Sequence, residues 1–218
     1  QMTDSMALLR APRIELMQVH NLVDWRTHLR TLRGWKEEGR VRYIGVTHYV
    51  ASAHDDVERV LRAELLKTRP EYGFLGEEGS EIKGDGRNRW IVDPLDGTSN
   101  FAAGKATFAI IVALVEDGRT VGGWILDVPN GRLAVALAGQ GVTLDGKVVV
   151  GAPGGGSPSG FVGYKIRKAV ECQLPAVRRR GLGPVSTLRC AGVEYLEILA
   201  GRAAFSIYRR TKPWDHAA

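Results

Sequence analysis

The chain has 218 residues, of which 44% are hydrophobic, 25% charged and 7% aromatic; these proportions suit one good core or two small ones and exclude disordered, collagenous and disulfide-framework chains. The net charge of +6 is unevenly spread: residues 1–62 carry 10 Lys/Arg against 8 Asp/Glu, residues 63–159 carry 9 against 12, and residues 160–212 carry 11 against 3. No apolar run approaches the ~20 residues of a membrane helix and no secretory signal is read at the start, so two cysteines, Cys172 and Cys190, are expected to be reduced in a cytoplasmic protein.

Ile14 to Val19 (IELMQV) predicts a buried strand, followed by His20 and Asn21. Residues from about Trp25 to Glu38 predict an amphipathic helix with Leu29, Leu32 and Trp35 on one face, stopped at Gly39. Val41 to Val46 is the next strand, so strand, helix and strand make a βαβ unit with parallel pairing. A second helix is expected from Ala53 to Lys67, ended by Arg69-Pro70. Arg89 to Val92 predicts a strand, and Thr107 to Val115, Val121 to Leu126 and Arg132 to Ala138 form a meander after it. Asp145-Gly146 between two short β-prone runs predicts a hairpin turn. Residues 151–160 (GAPGGGSPSG) are expected to be a loop, Val193 to Leu199 a helix stopped near Gly201, and Ala204 to Tyr208 a strand. Trp214-Asp215-His216 opens a further helix.

The most informative residues are Glu77-Glu78 and the run Asp93-Pro94-Leu95-Asp96-Gly97-Thr98. Asp93 is expected to end a strand, and Asp96 follows across a Pro-containing turn, which brings two carboxylates together. Hard divalent cations want oxygen ligands of this kind, and the turn can aim the Leu95 carbonyl into the same space. Gly97, Thr98 and Ser99 offer backbone N–H groups at a helix start, where a phosphate is bound by unpaired donors and the helix dipole. The Thr98 hydroxyl can orient a water. Singly, such Asp-Pro and Asp-Gly pairs are ordinary turn and cap formers; the whole string argues for chemistry. An acidic block beside a basic one fits a metal-plus-phosphate site. The basic residues, among them Arg178, Arg179 and Arg180, lack interleaved stacking aromatics, so a nucleic-acid partner is not expected.

With Gly76-Glu77-Glu78, Trp90 to Phe101 (WIVDPLDGTSNF) and Pro213-Trp214-Asp215-His216-Ala217-Ala218, residues from about 54 to 218 resemble the inositol monophosphatase family of Mg²⁺-dependent phosphatases. The resemblance implies a layered α/β sandwich of sheets and helices, a small phosphorylated metabolite as substrate, and a homodimer. It implies a first Mg²⁺ on Glu77, Asp93 and the Leu95 carbonyl, and a second shared by Asp93 with Asp96 and Asp215. Thr98 would work with Glu77 on the attacking water, and the Gly97 and Thr98 amides would hold phosphate. Several positions depart from the family pattern. His54 stands where the family has Asp, Tyr43 at the distance of its upstream Lys, and Tyr208 where a Glu meets the sugar, with Arg209 and Arg210 after it. These changes turn the expectation from myo-inositol phosphate toward other monoesters, such as histidinol, sugar or nucleotide phosphates. The family extends some way past its Trp-Asp motif, so Asp215 is expected to be poorly fixed and the second metal weakly bound.

Ile14 to His20 and Lys36 to Tyr49 (KEEGRVRYIGVTHY) resemble a different family, the aldo-keto reductases, with His20 at the place of its catalytic histidine and Thr47-His48 where Ser and Asn contact the nicotinamide. The resemblance implies an N-terminal βαβα fragment like part of a TIM barrel, over residues 1–53, ahead of a phosphatase-like domain over 54–218. One or two βα units cannot close an eight-stranded barrel, and the family's Asp, Tyr and Lys are missing, so His20 is expected to be vestigial. The leading expectation is a Mg²⁺-dependent phosphomonoesterase. The alternatives are a catalytically impaired composite that only binds Mg²⁺ or phosphate and, less favoured, an NADPH-dependent reductase.

Overall fold

A computed structural model of the chain describes residues 6, 12–20, 25–47, 53–151, 158–163, 166, 172 and 183–218. Its contacts divide it into two units, Gln1–Val57 and Glu58–Ala218.

In the first unit, β1 (Ile14–His20), α1 (Trp25–Glu37) and β2 (Val41–Thr47) form the expected βαβ arrangement. The two strands pair in parallel from Ile14 opposite Val41 to His20 opposite Thr47. Leu29 and Leu32, one helical turn apart, bury their side chains against Val19, with Met17, Trp35 and Ile44 around them. Gly39 ends α1 in the left-handed region at φ 73°, while the Arg40 N–H reaches back to the Trp35 carbonyl at 2.9 Å. His20 closes β1, and its side chain lies outside the described residues, as does His48 entirely.

The division between units falls inside α2 (Ala53–Thr68), between Val57 and Glu58. Asp55 and Asp56 in its first turn and Lys67 in its last complement the helix dipole. In the second unit, Leu61 and Leu65 of this helix pack on Phe74, Trp90 and Val92 of the sheet.

That sheet has eight strands: β3 (Gly73–Gly76), β4 (Glu81–Ile82), β5 (Arg89–Asp96), β6 (Ala109–Glu116), β7 (Arg119–Asp127), β8 (Arg132–Leu137), β9 (Gly141–Leu144) and β10 (Lys147–Val148). Their order is β10-β9-β8-β7-β6-β5-β3-β4. β3 and β5 run parallel and the other neighbours antiparallel, which makes the predicted meander the body of the sheet. The Asp145-Gly146 turn is as expected, with both residues at positive φ (52° and 77°), the combination that matches strand twist in a two-residue hairpin.

One boundary differs in an instructive way. β5 was expected to stop before the Asp-Pro turn, yet it runs on to Asp96. The pairing with β6 slips between Asp93, opposite Ile111, and Asp96, opposite Ala109. This bulge accommodates Pro94, which has no N–H for the ladder, and it turns the carboxylates relative to the regular strand.

A smaller parallel sheet, in the order β12-β11-β13, consists of β11 (Gly160–Val162), β12 (Val185–Ser186) and β13 (Phe205–Ile207). Of the expected loop over 151–160, residues 152–157 lie outside the described residues, as do Arg178, Arg179 and Arg180. Between these strands runs α4 (Ala191–Leu199), two residues longer at its start than its apolar pattern predicts. Val193 and Leu196 bury themselves on Ala109, Ile111, Ile125 and Ala134. Gly192 brings the helix close to the sheet; a Cβ there would sit 2.9 Å from the Ala109 Cβ. Two short helices, α3 (Thr98–Ala102) and α5 (Pro213–His216), complete the unit. The layered sheet-and-helix α/β architecture is therefore observed. Among the described residues no helix is long and apolar enough to cross a membrane.

Leu196 is 0% exposed, so Leu196→Ala leaves a cavity between α4 and the sheet. The expected cost is about 2–5 kcal/mol of stability, read as a lower urea midpoint in an unfolding titration; an unchanged midpoint would contradict this packing.

Candidate functional site

The bulge at the end of β5 puts Asp93 at the centre of the site, 1% exposed. Its Oδ1 accepts the Leu95 N–H at 2.9 Å, which fixes the carboxylate against its own backbone. Glu77 follows the last residue of β3, and its N–H donates to the Val92 carbonyl on the neighbouring strand at 3.1 Å. Asp215 comes from α5, which lies against β5, β6 and α4. Carboxylate oxygens of Glu77, Asp93 and Asp215 all lie within 4.8 Å of one another. Residues 138 positions apart in the chain thus meet at one point, and Asp215, expected to be poorly fixed, is seated among them.

Three negative charges so close repel one another in a partly dry setting. Burial first, then the charges of Glu77, Asp96 and Asp215, pushes the Asp93 carboxyl up to about 9. Asp215 is also raised, by burial and then by Glu77, and is partly held down by His216, Lys212 and its hydrogen bond with Asp93. The donor set is wholly hard oxygen and lacks sufficient positive charge of its own, so its chemistry fits a divalent cation such as Mg²⁺.

Asp96 stands beside this trio, outside the 4.8 Å group. Its Oδ2 accepts the Gly192 N–H at 2.6 Å and the Cys190 thiol at 3.1 Å, both from the start of α4. Burial raises Asp96 to about 6 against these hydrogen bonds. Burial and the neighbouring Asp96 push the Cys190 thiol upward, so it stays a neutral donor.

The Leu95 carbonyl accepts the Thr98 hydroxyl at 3.1 Å, which ties two expected site groups to each other. Gly97 adopts φ 88° immediately before α3, and a Cβ there would meet the Thr107 carbonyl oxygen at 2.9 Å. The glycine is therefore required twice, by backbone conformation and by space. Asn100, buried in α3, donates to the Thr107 and Leu188 carbonyls at 3.0 and 2.7 Å and links the Asp-Gly-Thr segment to the approach of α4.

Two contributors were missed in the sequence. Lys212 puts its Nζ 3.4 Å from Glu77 Oε1 and over the Trp214 ring at 5.1 Å; its place directly before Pro213-Trp214-Asp215 was the available signal. Glu194, 1% exposed, accepts from Thr187 Oγ1, the Leu188 N–H, Ser206 Oγ and the Tyr208 hydroxyl at 3.1, 2.8, 2.8 and 2.6 Å. Tyr208 is thus fixed through Glu194, with its ring centroid 4.8 Å from that of His216. A Glu in a mostly apolar helix gave no sign of four donors converging from two other segments.

Comparison with known proteins agrees with this arrangement. The model of the inositol monophosphatase family matches residues 31–218, beginning earlier than the expected boundary near 54. The chain is 41% identical over 192 residues to the inositol-1-monophosphatase of Rhizobium meliloti (strain 1021), covering 82% of this chain and 70% of that protein. It is 27% identical over 183 residues to the Nus factor SuhB of Escherichia coli (strain K12), covering 80% of this chain and 68% of the relative. Among solved structures, the extragenic suppressor protein suhB from Bartonella henselae superimposes with a TM-score of 0.67 at 31% identity, over 76% of this chain and 66% of that one. The chain therefore spans about two thirds of the length of that solved relative. The family match takes in residues 31–53 of the stretch expected to be reductase-like.

The raised carboxyls make stability depend on pH in a definite direction. In the cation-free protein, Asp93 at about 9 and Asp96 at about 6 hold protons that the unfolded chain releases near pH ~4. The stability tied to those protons is fully present below that pH and is lost as pH rises through the folded values. Thermal unfolding without divalent cation is expected to move to lower temperature between pH ~5 and ~9. Saturating Mg²⁺ should flatten or reverse that trend; a cation-free midpoint that rises across this range would contradict it.

Proposed function

The chain belongs to the inositol monophosphatase family, and on that basis we propose that it hydrolyses a small phosphate monoester with Mg²⁺ as cofactor. The convergence of the Glu77, Asp93 and Asp215 carboxylates within 4.8 Å carries this reading. In it, Glu77, Asp93 and the Leu95 carbonyl would hold one cation, and Asp93, Asp96 and Asp215 would hold a second. When bound, Mg²⁺ supplies positive charge for the phosphate oxygens and lowers the pKa of the attacking water.

The remaining work falls to the chain's own residues. Glu77 orients the attacking water as acceptor, with the Thr98 hydroxyl oxygen, whose proton is directed to Leu95, as a second acceptor. Gly97 and Thr98 present backbone N–H groups to the phosphate without a side chain in the way. The water oxygen adds to phosphorus and gives up one proton to its acceptor, the ester P–O bond breaks, and the departing alkoxide takes up one proton from solvent, so that alcohol and hydrogen phosphate are the products. Positioning and charge neutralisation dominate such a transfer. With Tyr208 bound to Glu194 and Arg209 and Arg210 next to it, where a Glu meets the sugar in the family pattern, a monoester other than inositol phosphate is favoured, such as a sugar, nucleotide or histidinol phosphate.

One feature supports a composite chain: residues 14–47 form a parallel βαβ unit, of which residues 14–30 precede the family match. In this reading the first unit is a reductase-like fragment with His20 vestigial, and His54 in place of a carboxylate lowers turnover. The two unpaired cysteines, Cys172 and Cys190, accord with a reducing cytoplasm.

A phosphate-release screen over inositol, histidinol, sugar and nucleotide monophosphates, with and without Mg²⁺, tests the proposal. Release is expected only with Mg²⁺. Asp93→Asn is expected to lower it by ~100-fold or more, while the variant retains its cooperative unfolding. Equal release from Asp93→Asn, or release unaffected by EDTA, would reject the assignment.

A further inference from the structure

Glu58 lies in α2 and is 1% exposed, a placement that a carboxylate adopts only with partners for its charge. Those partners are backbone. Glu58 Oε2 accepts the Glu78 N–H at 2.9 Å, and Oε1 accepts the Ser80 N–H at 3.3 Å. Both donors belong to the turn between β3 and β4, the turn whose first residue is Glu77. The turn also closes on itself, with the Gly76 N–H donating to the Ser80 carbonyl at 2.9 Å. One helical turn beyond Glu58, Arg62 Nη1 donates to Ser80 Oγ at 3.0 Å, so two residues on one face of α2 grip the same segment.

Gly76 shows how close this grip is. A Cβ at that position would lie 2.1 Å from Glu58 Oε2 and 2.2 Å from its carboxyl carbon. The carboxylate therefore rests directly on the backbone of the residue before Glu77, and the Gly-Glu-Glu order has a mechanical reason. The glycine makes room for Glu58, Glu77 faces the other carboxylates, and Glu78 contributes the N–H that Glu58 receives.

We propose that Glu58 is a positioning residue for the cation site: by clamping the Glu77–Ser80 turn from α2 it fixes where the Glu77 carboxylate stands relative to Asp93. The role rests on the cation-site reading above. Outer residues of this kind set ligand orientation and hence metal affinity. Without the clamp, Glu77 is held by its N–H to Val92 and by the 3.4 Å contact of its carboxylate with the exposed Lys212, which leaves the turn able to shift and the carboxylate able to swing away from the two neighbouring charges that repel it. Glu58→Gln keeps the volume but presents an NH₂ to one of two N–H donors, so one end of the clamp becomes donor against donor.

The test compares Mg²⁺ binding by calorimetry for the full chain, Glu58→Gln, and Leu144→Ala, a packing substitution in β9 toward the far end of the sheet from the turn. Glu58→Gln is expected to weaken Mg²⁺ binding by ~10–100-fold, while Leu144→Ala lowers the melting temperature and leaves Mg²⁺ affinity unchanged. Equal affinity in Glu58→Gln and the parent chain overturns the role, as does an equal loss in Leu144→Ala. A parent chain that binds no Mg²⁺ overturns the cation-site reading and this role with it. Amide hydrogen exchange on the unmodified chain gives a readout independent of any variant's folding. The Glu78 and Ser80 amides are expected to be protected, and exchange at the rate of an unstructured peptide overturns the clamp.

Discussion

Electrostatic repulsion among converging carboxylates is the constraint around which the second unit is organised. Glu77, Asp93 and Asp215 come from three separate segments and point their charges at one another, with Asp96 beside them. Like charges in a poorly hydrated pocket drive segments apart unless protons or a cation intervene. Every local device nearby opposes that tendency. The Asp93 side chain is tied to the Leu95 N–H, Asp96 to the start of α4, the Glu77 turn to α2, and α5 packs on the sheet behind Asp215. The fold has placed stiffness where the charge density would otherwise disperse it.

The backbone solutions are equally specific. A regular strand would send Asp93 and Asp96 to opposite faces in strict alternation with their neighbours. The bulge around Pro94 breaks that alternation and lets both carboxylates serve one region. Gly97 then turns the chain sharply into α3, at a point where the Thr107 carbonyl leaves no room for a side chain. Proline, glycine and the paired acids are therefore a single device: the first disrupts the ladder, the second redirects the chain, and the acids use the space so created.

Much of this was legible before any coordinates. The alternating and helical apolar patterns marked β1, α1, β2 and the meander from β6 to β8 because each buries one face, and the Asp-Gly hairpin was written in its turn residues. The Asp93 to Thr98 string stood out because two acids, a proline and a glycine, each ordinary singly in turns and caps, follow one another at a strand end. The short strands β3, β4 and β12 escaped notice, since two to four residues carry no periodicity. The continuation of β5 through Pro94 was hidden because a proline reads as a strand breaker unless a bulge receives it. Glu58 lies in a helix marked by its apolar spacing, which says nothing of its contacts. Glu194 was hidden for the same reason: the donors that justify a buried carboxylate come from the segments before and after its helix, and only the fold brings them together. Asp96 shows the converse, a residue marked in the sequence whose bonds to Cys190 and Gly192 depend on a helix nearly a hundred residues later.

The Glu194 hub carries a consequence for how such a protein can diversify. Four donors meet in one carboxylate, and Tyr208, at the position tied by resemblance to substrate choice, is among them. Exchanging that tyrosine alone would remove one of four donors from a buried carboxylate, while exchanging Glu194 alone would orphan three side-chain hydroxyls and a main-chain amide. Inherited variation at these two sites is thus expected to travel in pairs, which slows the drift from one metabolite to another and gives the lineage a ratchet on its own versatility.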